Sequence, residues 1–184
     1  ALASWTDVGI QARFIQQSNL RAIGVLLRYT DERNFYRFSI ESEGESCLDF
    51  ERMKDGVLTQ LTLRTKKLDA GTLVIAQNVY YDLRISAVGG ELRAYVDGAL
   101  ALSASDPAPL ARGTVAVWNW FSYGAGFEDM KVFRITADTE AARAQDLQIA
   151  KALEHVGAVQ TEIATYSVAV GVSLNGFQFI YAAE

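Results

Sequence analysis

The sequence has 184 residues, of which 50% are hydrophobic and 21% charged, a composition typical of a soluble globular protein with a substantial core. The net charge of −5 and the scattered Lys and Arg residues exclude the basic stripe that non-specific nucleic-acid binding requires. The single cysteine, Cys47, excludes an intrachain disulfide, and with the single histidine, His155, it excludes a Cys/His zinc site within one chain.

In the first third of the chain, apolar and polar side chains alternate in short runs that polar turns separate. Alternation with a period of two predicts β-strands. Residues 24–41 predict an antiparallel hairpin whose tip is the polar connector 30–34, and Asp55-Gly56 predicts a second tight hairpin. The predicted strands are residues 4–15, 22–29, 35–41, 47–53 and 57–64.

The next stretch predicts a meander of three strands, because two tight turns follow each other closely. Gly89-Gly90 is the first turn and Asp97-Gly98 is the second. The two prolines in residues 106–109 indicate a loop, and a Gly-containing bend covers residues 122–126. The predicted strands are residues 73–76, 80–88, 91–96, 99–104, 113–120 and 127–135.

Short strands at this spacing, with no competing helical period before residue 137, indicate an all-β sandwich or barrel. Several motifs follow one another in a characteristic order: W-T-D, G-V-L-L-R-Y-T-D-x-x-N-F-Y-R-F, D-G then T-x-L, Y-Y-D-L-R-I-x-x-x-G-G-x-L-x-x-Y-V-D-G, G-T-V-A-V-W and F-E-D-M-K-V. This order resembles the concanavalin A-like jelly roll, more closely its laminin-G-like branch, which includes the 3-keto-disaccharide hydrolase domain group. The resemblance covers residues 4–136 and implies a module of large bacterial extracellular proteins or phage-tail-like machines.

An aromatic group near residue 120 is the first candidate for ligand contact. Its members are Trp118, Trp120, Phe121 and Tyr123. On a strand, the two tryptophans share a face opposite Val115 and Val117. Flat indoles on a sheet surface suit the apolar face of a sugar ring. The alternative is that these aromatics pack under the proline-containing loop or against the C-terminal segment.

A second candidate group surrounds the central hairpin. Its members are Arg28, Asp31, Asn34 and Arg37. These side chains can bind hydroxyl groups or a cation. Alternatively, they form surface ion pairs that fix the shape of the loop and contribute little energy.

A catalytic role is the weakest interpretation. The resemblance implies that β-glucan hydrolases of this fold carry E-x-D-x-E on a strand, and retaining hydrolysis needs two carboxylates roughly 5–5.5 Å apart. The nearest candidates, Glu41, Glu43 and Glu45, lie in a Gly- and Ser-containing break that predicts a solvated loop. Glu128 and Asp129 are adjacent, so on a regular strand they point to opposite faces.

Calcium is the one cofactor considered, because some laminin-G-like domains bind it. Asp97 and Asp106 are the candidate ligands, although calcium requires six to eight oxygens. Asp97 is also explained as the first residue of an Asp-Gly turn. His155 lacks partners for a catalytic triad and suits the C-terminal end of a helix.

After residue 136 the pattern changes. Asp138 or Thr139 can cap a helix that runs to about Val156 and ends at Gly157. An Asn175-Gly176 turn then predicts a hairpin that pairs Leu174 with Phe177 and Val172 with Phe179. The predicted assembly face consists of Tyr166, Val168, Val170, Val172, Leu174, Phe177, Phe179 and Tyr181. A lone hairpin is unstable, so it must pack on its own sandwich, continue into a further domain or join a neighbouring chain.

We therefore expect an all-β, concanavalin A-like two-sheet jelly-roll sandwich in residues 1–136, followed by a helix and β-hairpin in residues 137–184. The expected function is a non-catalytic module, binding a glycan or a surface, in a larger bacterial extracellular or phage-tail-like assembly. The alternatives are a structural subunit whose hairpin builds a fibre, sheath or tail, and a glycoside hydrolase. No transmembrane helix is expected, because no run of 18 apolar residues occurs.

Overall fold

The structure, a computed structural model, describes only part of the chain. The described residues are 4–17, 22–41, 47–62, 67–68, 71–72, 75–120, 122, 124–135, 168–174 and 177–182. For residues 67–68, 71–72, 168–174 and 177–182 it describes the backbone alone.

The described residues form two main antiparallel sheets. The strands are β1 (Val8–Gln16), β2 (Ala22–Asp31), β3 (Asn34–Glu41), β4 (Cys47–Lys54), β5 (Val57–Gln60), β6 (Lys67–Leu68), β7 (Gly71–Thr72), β8 (Tyr80–Val88), β9 (Glu91–Val96), β10 (Ala99–Ser105), β11 (Thr114–Trp120), β12 (Ala125–Arg134), β13 (Val168–Leu174) and β14 (Phe177–Ala182). One sheet has the order β10-β9-β8-β1-β12 and the other the order β13-β14-β11-β2-β3-β4-β5. The predicted two-sheet sandwich is confirmed.

The core lies between these sheets and is built from alternate residues of each strand. It contains Val8, Ile10 and Phe14 of β1, Val25 and Leu27 of β2, Tyr36, Phe38 and Ile40 of β3, Leu48 and Phe50 of β4, Leu83 and Ile85 of β8, and Val115 and Val117 of β11. Burying a large apolar side chain stabilises a fold by about 1.5–3 kcal/mol. The period-two pattern therefore determines which face of each strand turns inward.

Two predicted Asp-Gly turns connect hairpins as expected. Asp55 and Gly56 have φ values of 53° and 81°, and Asp97 and Gly98 have values of 48° and 76°. Positive φ at both central residues is characteristic of type I′ turns, which match the twist of the flanking strands. Gly89-Gly90 joins β8 to β9, and Asp97-Gly98 joins β9 to β10, so the predicted meander of three strands is confirmed.

The strand predicted over residues 4–15 begins only at Val8, and two other predicted strands differ more from the structure. The strand predicted over residues 57–64 ends at Gln60, because the backbone N–H groups of Leu61 and Thr62 both donate to the Phe50 carbonyl. The Thr62 hydroxyl also accepts a hydrogen bond from the Phe50 N–H at 2.8 Å. In the segment predicted as a strand over residues 73–76, Ile75 and Ala76 lie outside the strands.

The C-terminal hairpin joins the sandwich's own seven-stranded sheet, because β14 pairs with β11. Leu174 lies opposite Phe177, as predicted, whereas the predicted pair of Val172 with Phe179 is wrong. Phe179 lies opposite Gly171, because the register shifts between Gly171 and Ser173. The predicted helix at 139–156, the turn at 175–176 and Tyr166 fall outside the described residues, and the boundary at 136 stays a prediction.

Candidate functional site

The seven-stranded sheet turns one face toward the core and the other, which we call the outer face, away from it. Because neighbouring side chains of a strand point to opposite faces, the residues between the core positions lie on the outer face. A second hydrophobic cluster forms there. Its buried members are Ala22, Leu26, Phe35, Ala116 and Trp118, with Tyr29 and Met53 packed against them.

The strand register arranges the centre of the outer face in three transverse rows, named here for one residue of each. The Trp120 row contains Trp120, Ala22, Glu41 and Cys47. The Trp118 row contains Trp118, Gly24, Ser39 and Asp49. The Arg37 row contains Ala116, Leu26, Arg37 and Glu51. Neighbouring strands are about 4.8 Å apart, so Trp120 and Glu41 stand on backbones about 10 Å apart with Ala22 between them.

The two tryptophans share this face, as the sequence predicts, but they differ in exposure. Their ring centroids are 6.4 Å apart, with an angle of 32° between the planes. Trp118 is 9% exposed and belongs to the buried cluster, whereas Trp120 is 54% exposed. Trp120 therefore presents the accessible indole, and Trp118 supports it.

Arg37 links the aromatic and acidic parts of the outer face. Its Nε donates to Glu51 Oε2 at 2.7 Å, and its Nη2 donates to the same oxygen. Its guanidinium carbon lies 4.4 Å from the centroid of the Trp118 ring, a cation–π contact. The contact reaches across β2, the strand that lies between β3 and β11.

Asp49 places a buried carboxyl group beside this ion pair. The residue is 3% exposed and lies two positions before Glu51 on β4. Burial raises the pKa of Asp49 to about 6, and the negative charge of Glu51 acts in the same direction, whereas Arg37 opposes the shift. The outer face therefore combines an exposed indole with fixed polar groups, the kind of arrangement that binds small polar ligands.

Arg28 does not belong to this surface, so the structure does not bring it together with the other residues predicted to bind a ligand. The residue is 1% exposed and has a φ of 50°, at an irregular step in the pairing of β2 with β3. Its guanidinium donates to the carbonyl groups of Thr6 (2.6 Å), Gly89 (2.8 Å) and Leu110 (2.8 Å) and to the Asp7 carboxylate (3.2 Å). These bonds hold three connecting segments together inside the fold.

Asp31 and Asn34 lie at the exposed tip of the β2-β3 hairpin, away from the rows. Asp31 Oδ1 accepts hydrogen bonds from the Arg33 N–H (2.8 Å) and the Asn34 amide (3.1 Å). The bond from Arg33 comes first among the causes that lower the pKa of Asp31. These contacts fix the turn. Phe121 and Tyr123 lie outside the described residues.

The calcium site considered from the sequence does not fit the two aspartates. Asp97 Oδ1 accepts a hydrogen bond from the Asp82 N–H at 2.8 Å, which ties the turn between β9 and β10 to β8. The buried Asp106 carboxylate accepts from Tyr36 Oη (2.7 Å), Arg52 Nη1 (2.6 Å) and the Ala108 N–H (3.0 Å). Burial acts to raise the pKa of Asp106, but the hydrogen bonds from these donors outweigh it and lower the pKa. No group of three or more metal-ligating side chains occurs within the described part of the chain.

The acidic residues of β12 also differ from expectation. Glu128 accepts a hydrogen bond from Tyr80 Oη at 2.9 Å, and Asp129 lies 3.7 Å from Arg13, which stacks over the Tyr80 ring. Both carboxylates therefore meet the same pair of side chains, rather than pointing to opposite faces. The reason is an irregular step between β1 and β12, where Asp129 has a φ of 50°. Glu43 and Glu45 lie outside the described residues.

Sequence reasoning missed the polar centre of the outer face. It placed Arg37 in the group around the central hairpin and did not select Ser39, Asp49 or Glu51. The signal is present, because in NFYRFSIE and CLDFERMK these residues alternate with core residues. Their meeting with Trp118 could not be read locally, since β11 reaches them only through the order of strands in the sheet.

Comparisons with known proteins establish the fold class. No protein-family model matches the sequence, and no curated protein is similar to it in sequence. The carbohydrate-binding module CBM66 from Bacillus subtilis is similar in structure, with a TM-score of 0.57, 19% identity, and coverage of 71% of this chain and 76% of that one. Galectin LEC-6 from Caenorhabditis elegans has a TM-score of 0.52 and 12% identity over 73% of this chain and 91% of its own. Chicken galectin 2 has a TM-score of 0.54 and 7% identity over 71% and 100%.

These likenesses show a jelly-roll sandwich of the concanavalin A-like class, which confirms the predicted fold class. The narrower laminin-G-like assignment stays a prediction. Among the residues that the structure describes, no helix is long and apolar enough to cross a membrane.

Proposed function

We propose that this chain is a non-catalytic carbohydrate-binding module that holds a glycan on the outer face of its seven-stranded sheet. The observation that carries the proposal is the exposed indole of Trp120, supported by Trp118 and flanked by the ion pair of Arg37 with Glu51. An exposed aromatic plane beside fixed hydrogen-bonding groups suits a sugar, which has one apolar C–H face and a rim of hydroxyl groups.

The arrangement is also rigid, which favours binding. Arg37 is held by Glu51 on one side and by the Trp118 ring on the other, so a ligand does not have to order its side chain. Fixing a long side chain on binding costs about 0.5–1.5 kcal/mol, and a group that is already held avoids this cost.

The similar solved structures support this proposal through the fold. One is described as a carbohydrate-binding module and others as galectins. The motif order in the sequence adds a resemblance to laminin-G-like domains, and this agrees with a module attached to a larger bacterial extracellular or phage-tail-like protein. We infer an extracellular setting from the same resemblance.

The test is binding to immobilised glycans of many types, followed by calorimetry on the best of them. Trp120→Ala should weaken binding at least tenfold, because stacking on an aromatic ring is lost. Tyr80→Ala is the matched control, since Tyr80 is also an exposed aromatic residue but belongs to the five-stranded sheet. Equal binding by wild type and the Trp120 variant would move the site elsewhere, and the absence of binding to every glycan would refute the proposed function.

A second candidate function is a structural subunit that associates through its C-terminal hairpin. The observation in favour is that β13 ends the described seven-stranded sheet, so one edge of this strand has no partner within the described chain. An unpaired strand edge can add a strand from another chain. The light-scattering mass of the full chain, compared with that of a chain that ends at residue 136, separates the two functions.

A further inference from the structure

The outer face carries an excess of negative charge. Of the residues that the strand register places in its three rows, Arg37 is the one cation, whereas Glu41, Asp49 and Glu51 are acidic. The five-stranded sheet is different, since the outer positions of its central strands carry charges of both signs, for example Arg13 opposite Asp82, with Arg84 and Arg93 nearby. The imbalance therefore belongs to the proposed site and not only to the net charge of the chain.

The single cation of these rows is already engaged. Both Nε and Nη2 of Arg37 donate to Glu51, and the flat side of the guanidinium lies on Trp118. A carboxylate or sulfate on a sugar would have to displace Glu51 to gain a partner. It would also approach Asp49, which is buried one row away on the same strand as Glu51.

A positively charged group on a sugar would be attracted to these carboxylates and would not have to displace any of them. Charges near a low-dielectric protein surface interact more strongly than in water, so even carboxylates that are largely buried attract a cation. Trp120 lies in the same row as Glu41, and its indole adds an aromatic face that also attracts cations. Both effects act in the same direction.

We infer that the outer face selects amino sugars with a free, protonated amine over neutral sugars, and that it rejects uronic acids and sulfated sugars. This inference rests on the proposed function, because it names the class of glycan that the same site takes. It identifies a polycation of the glucosamine type as the best ligand.

The experiment uses oligosaccharides of one length and one linkage that differ at a single group. The probes are β-1,4-linked oligomers of glucosamine, N-acetylglucosamine and glucose, with an oligouronate as the anionic member. The pH is kept just above the pKa of Asp49, which is about 6, so that this carboxyl is ionised while a large share of the glucosamine amines stays protonated. We expect the glucosamine oligomer to bind about fivefold or more tightly than the acetylated one, the factor expected for one additional attraction between charges near a surface. The ratio should fall in high salt, because salt screens exposed charges.

Two variants test the cause of the preference. Asp49→Asn replaces one carboxylate with an uncharged amide of similar shape. It should reduce the ratio of glucosamine binding to N-acetylglucosamine binding. Glu51→Gln also releases Arg37 and should allow the oligouronate to bind. Glu91→Gln is the matched control, because it removes one negative charge at an exposed position of β9 in the other sheet, and it should leave the ratio unchanged.

The outcomes separate this inference from the proposed function. If the glucosamine, acetylated and glucose oligomers bind equally, or if the oligouronate binds best, the inference is overturned while the proposed function stands. If Glu91→Gln lowers the ratio as much as Asp49→Asn does, the overall charge rather than this site causes the preference, and the inference is again overturned. If these probes and all immobilised glycans fail to bind, both proposals are refuted. Thermal melting of each variant confirms that a lost ratio does not reflect unfolding.

Discussion

At the scale of single residues, the sandwich depends on a buried arginine that the sequence suggested as a ligand group. The side chain of Arg28 is drawn inward because its positive φ interrupts the alternation of β2. Four hydrogen-bond acceptors surround it, three of them backbone carbonyls. A charged group in such a place stabilises the fold only while its partners remain, and removing it leaves them buried without a donor.

The first prediction concerns this residue. Arg28→Ala should lower the free energy of unfolding by about 3–5 kcal/mol, the range found when one partner of a buried charged pair is removed. Urea denaturation measures the change. Arg33→Ala is the control, because Arg33 is exposed and donates to a single carbonyl of the neighbouring turn, so its loss should change the stability by less than about 0.5 kcal/mol. Similar effects of the two substitutions would contradict the role assigned to Arg28.

The second prediction concerns the pH dependence of stability. Asp49 has a pKa of about 6 in the folded chain, above its usual value of 3.8, so the folded chain holds this proton at a pH at which the unfolded chain has released it. The wild type should therefore lose stability as the pH rises from about 4 to about 6, and a shift of two pKa units corresponds to about 3 kcal/mol.

Asp49→Asn removes this ionisation. The variant should match the wild type most closely below about pH 4 and should be more stable than it above about pH 6, with the difference growing between these values. Chemical denaturation at several pH values measures the difference. Asp82→Asn, at an exposed position of β8, should follow the wild-type curve. A constant difference between Asp49→Asn and wild type across this range would show that burial does not raise the pKa of Asp49.

At the scale of the elements, the predictable features are local. Alternation, the Gly89-Gly90 turn and the Asp97-Gly98 turn determine β8, β9 and β10 without knowledge of the rest of the chain, since a tight hairpin needs only its own residues. The irregular steps at Arg28 and Asp129 were not predicted, because a bulge is defined by the strand across from it. The sequence shows which residues alternate but not where the partner strand slips.

The third prediction tests the close approach of β2 and β3. A Cβ added at Gly24 would lie 1.8 Å from the backbone carbonyl oxygen of Phe38, which cannot move without separating the strands. Gly24→Ala should therefore lower the free energy of unfolding by about 1–3 kcal/mol, the usual effect of overpacking, or by more. It should also weaken glycan binding, because β3 carries Arg37.

Gly126→Ala is the control for this substitution. Gly126 also lies in a strand, β12, but a Cβ added there meets no atom within 4 Å. Its stability, measured by the same denaturation experiment, should stay close to that of the wild type. Equal losses from the two substitutions would show that loss of glycine flexibility, and not the contact with Phe38, is responsible.

At the scale of the whole molecule, the candidate site depends on the order of the strands more than on any motif. Alternation alone predicts that Trp118 and Trp120 share one face of β11. In the same way it places Arg37 on the face of β3, and Glu51 on the face of β4, that points away from the core residues. That these faces are the same face follows only from β2 lying between β3 and β11. The difference in exposure between the two tryptophans also depends on the neighbouring strands. The sequence therefore predicted both as ligand contacts without distinguishing them.

The C-terminal hairpin gives the last prediction, because it completes the sheet next to the tryptophans. Phe177 and Phe179 of β14 lie opposite Trp118 and Ala116 of β11. Pairing within the chain predicts that the 184-residue chain is a monomer whose light-scattering mass does not change with concentration. A chain that ends at residue 136 lacks β14, so it leaves the backbone groups of β11 without partners at a new sheet edge and should self-associate.

A single substitution separates the loss of pairing from the loss of the segment. Gln178→Pro keeps the full length but removes a backbone N–H in β14, which lies between two strands, and proline is poorly tolerated there. It should behave like the truncated chain in light scattering. The opposite result, a multimer of the full chain and a monomer of the truncated one, would mean that the hairpin pairs between chains. The structural-subunit function would then be favoured over the carbohydrate-binding one, since the hairpin would join neighbouring chains.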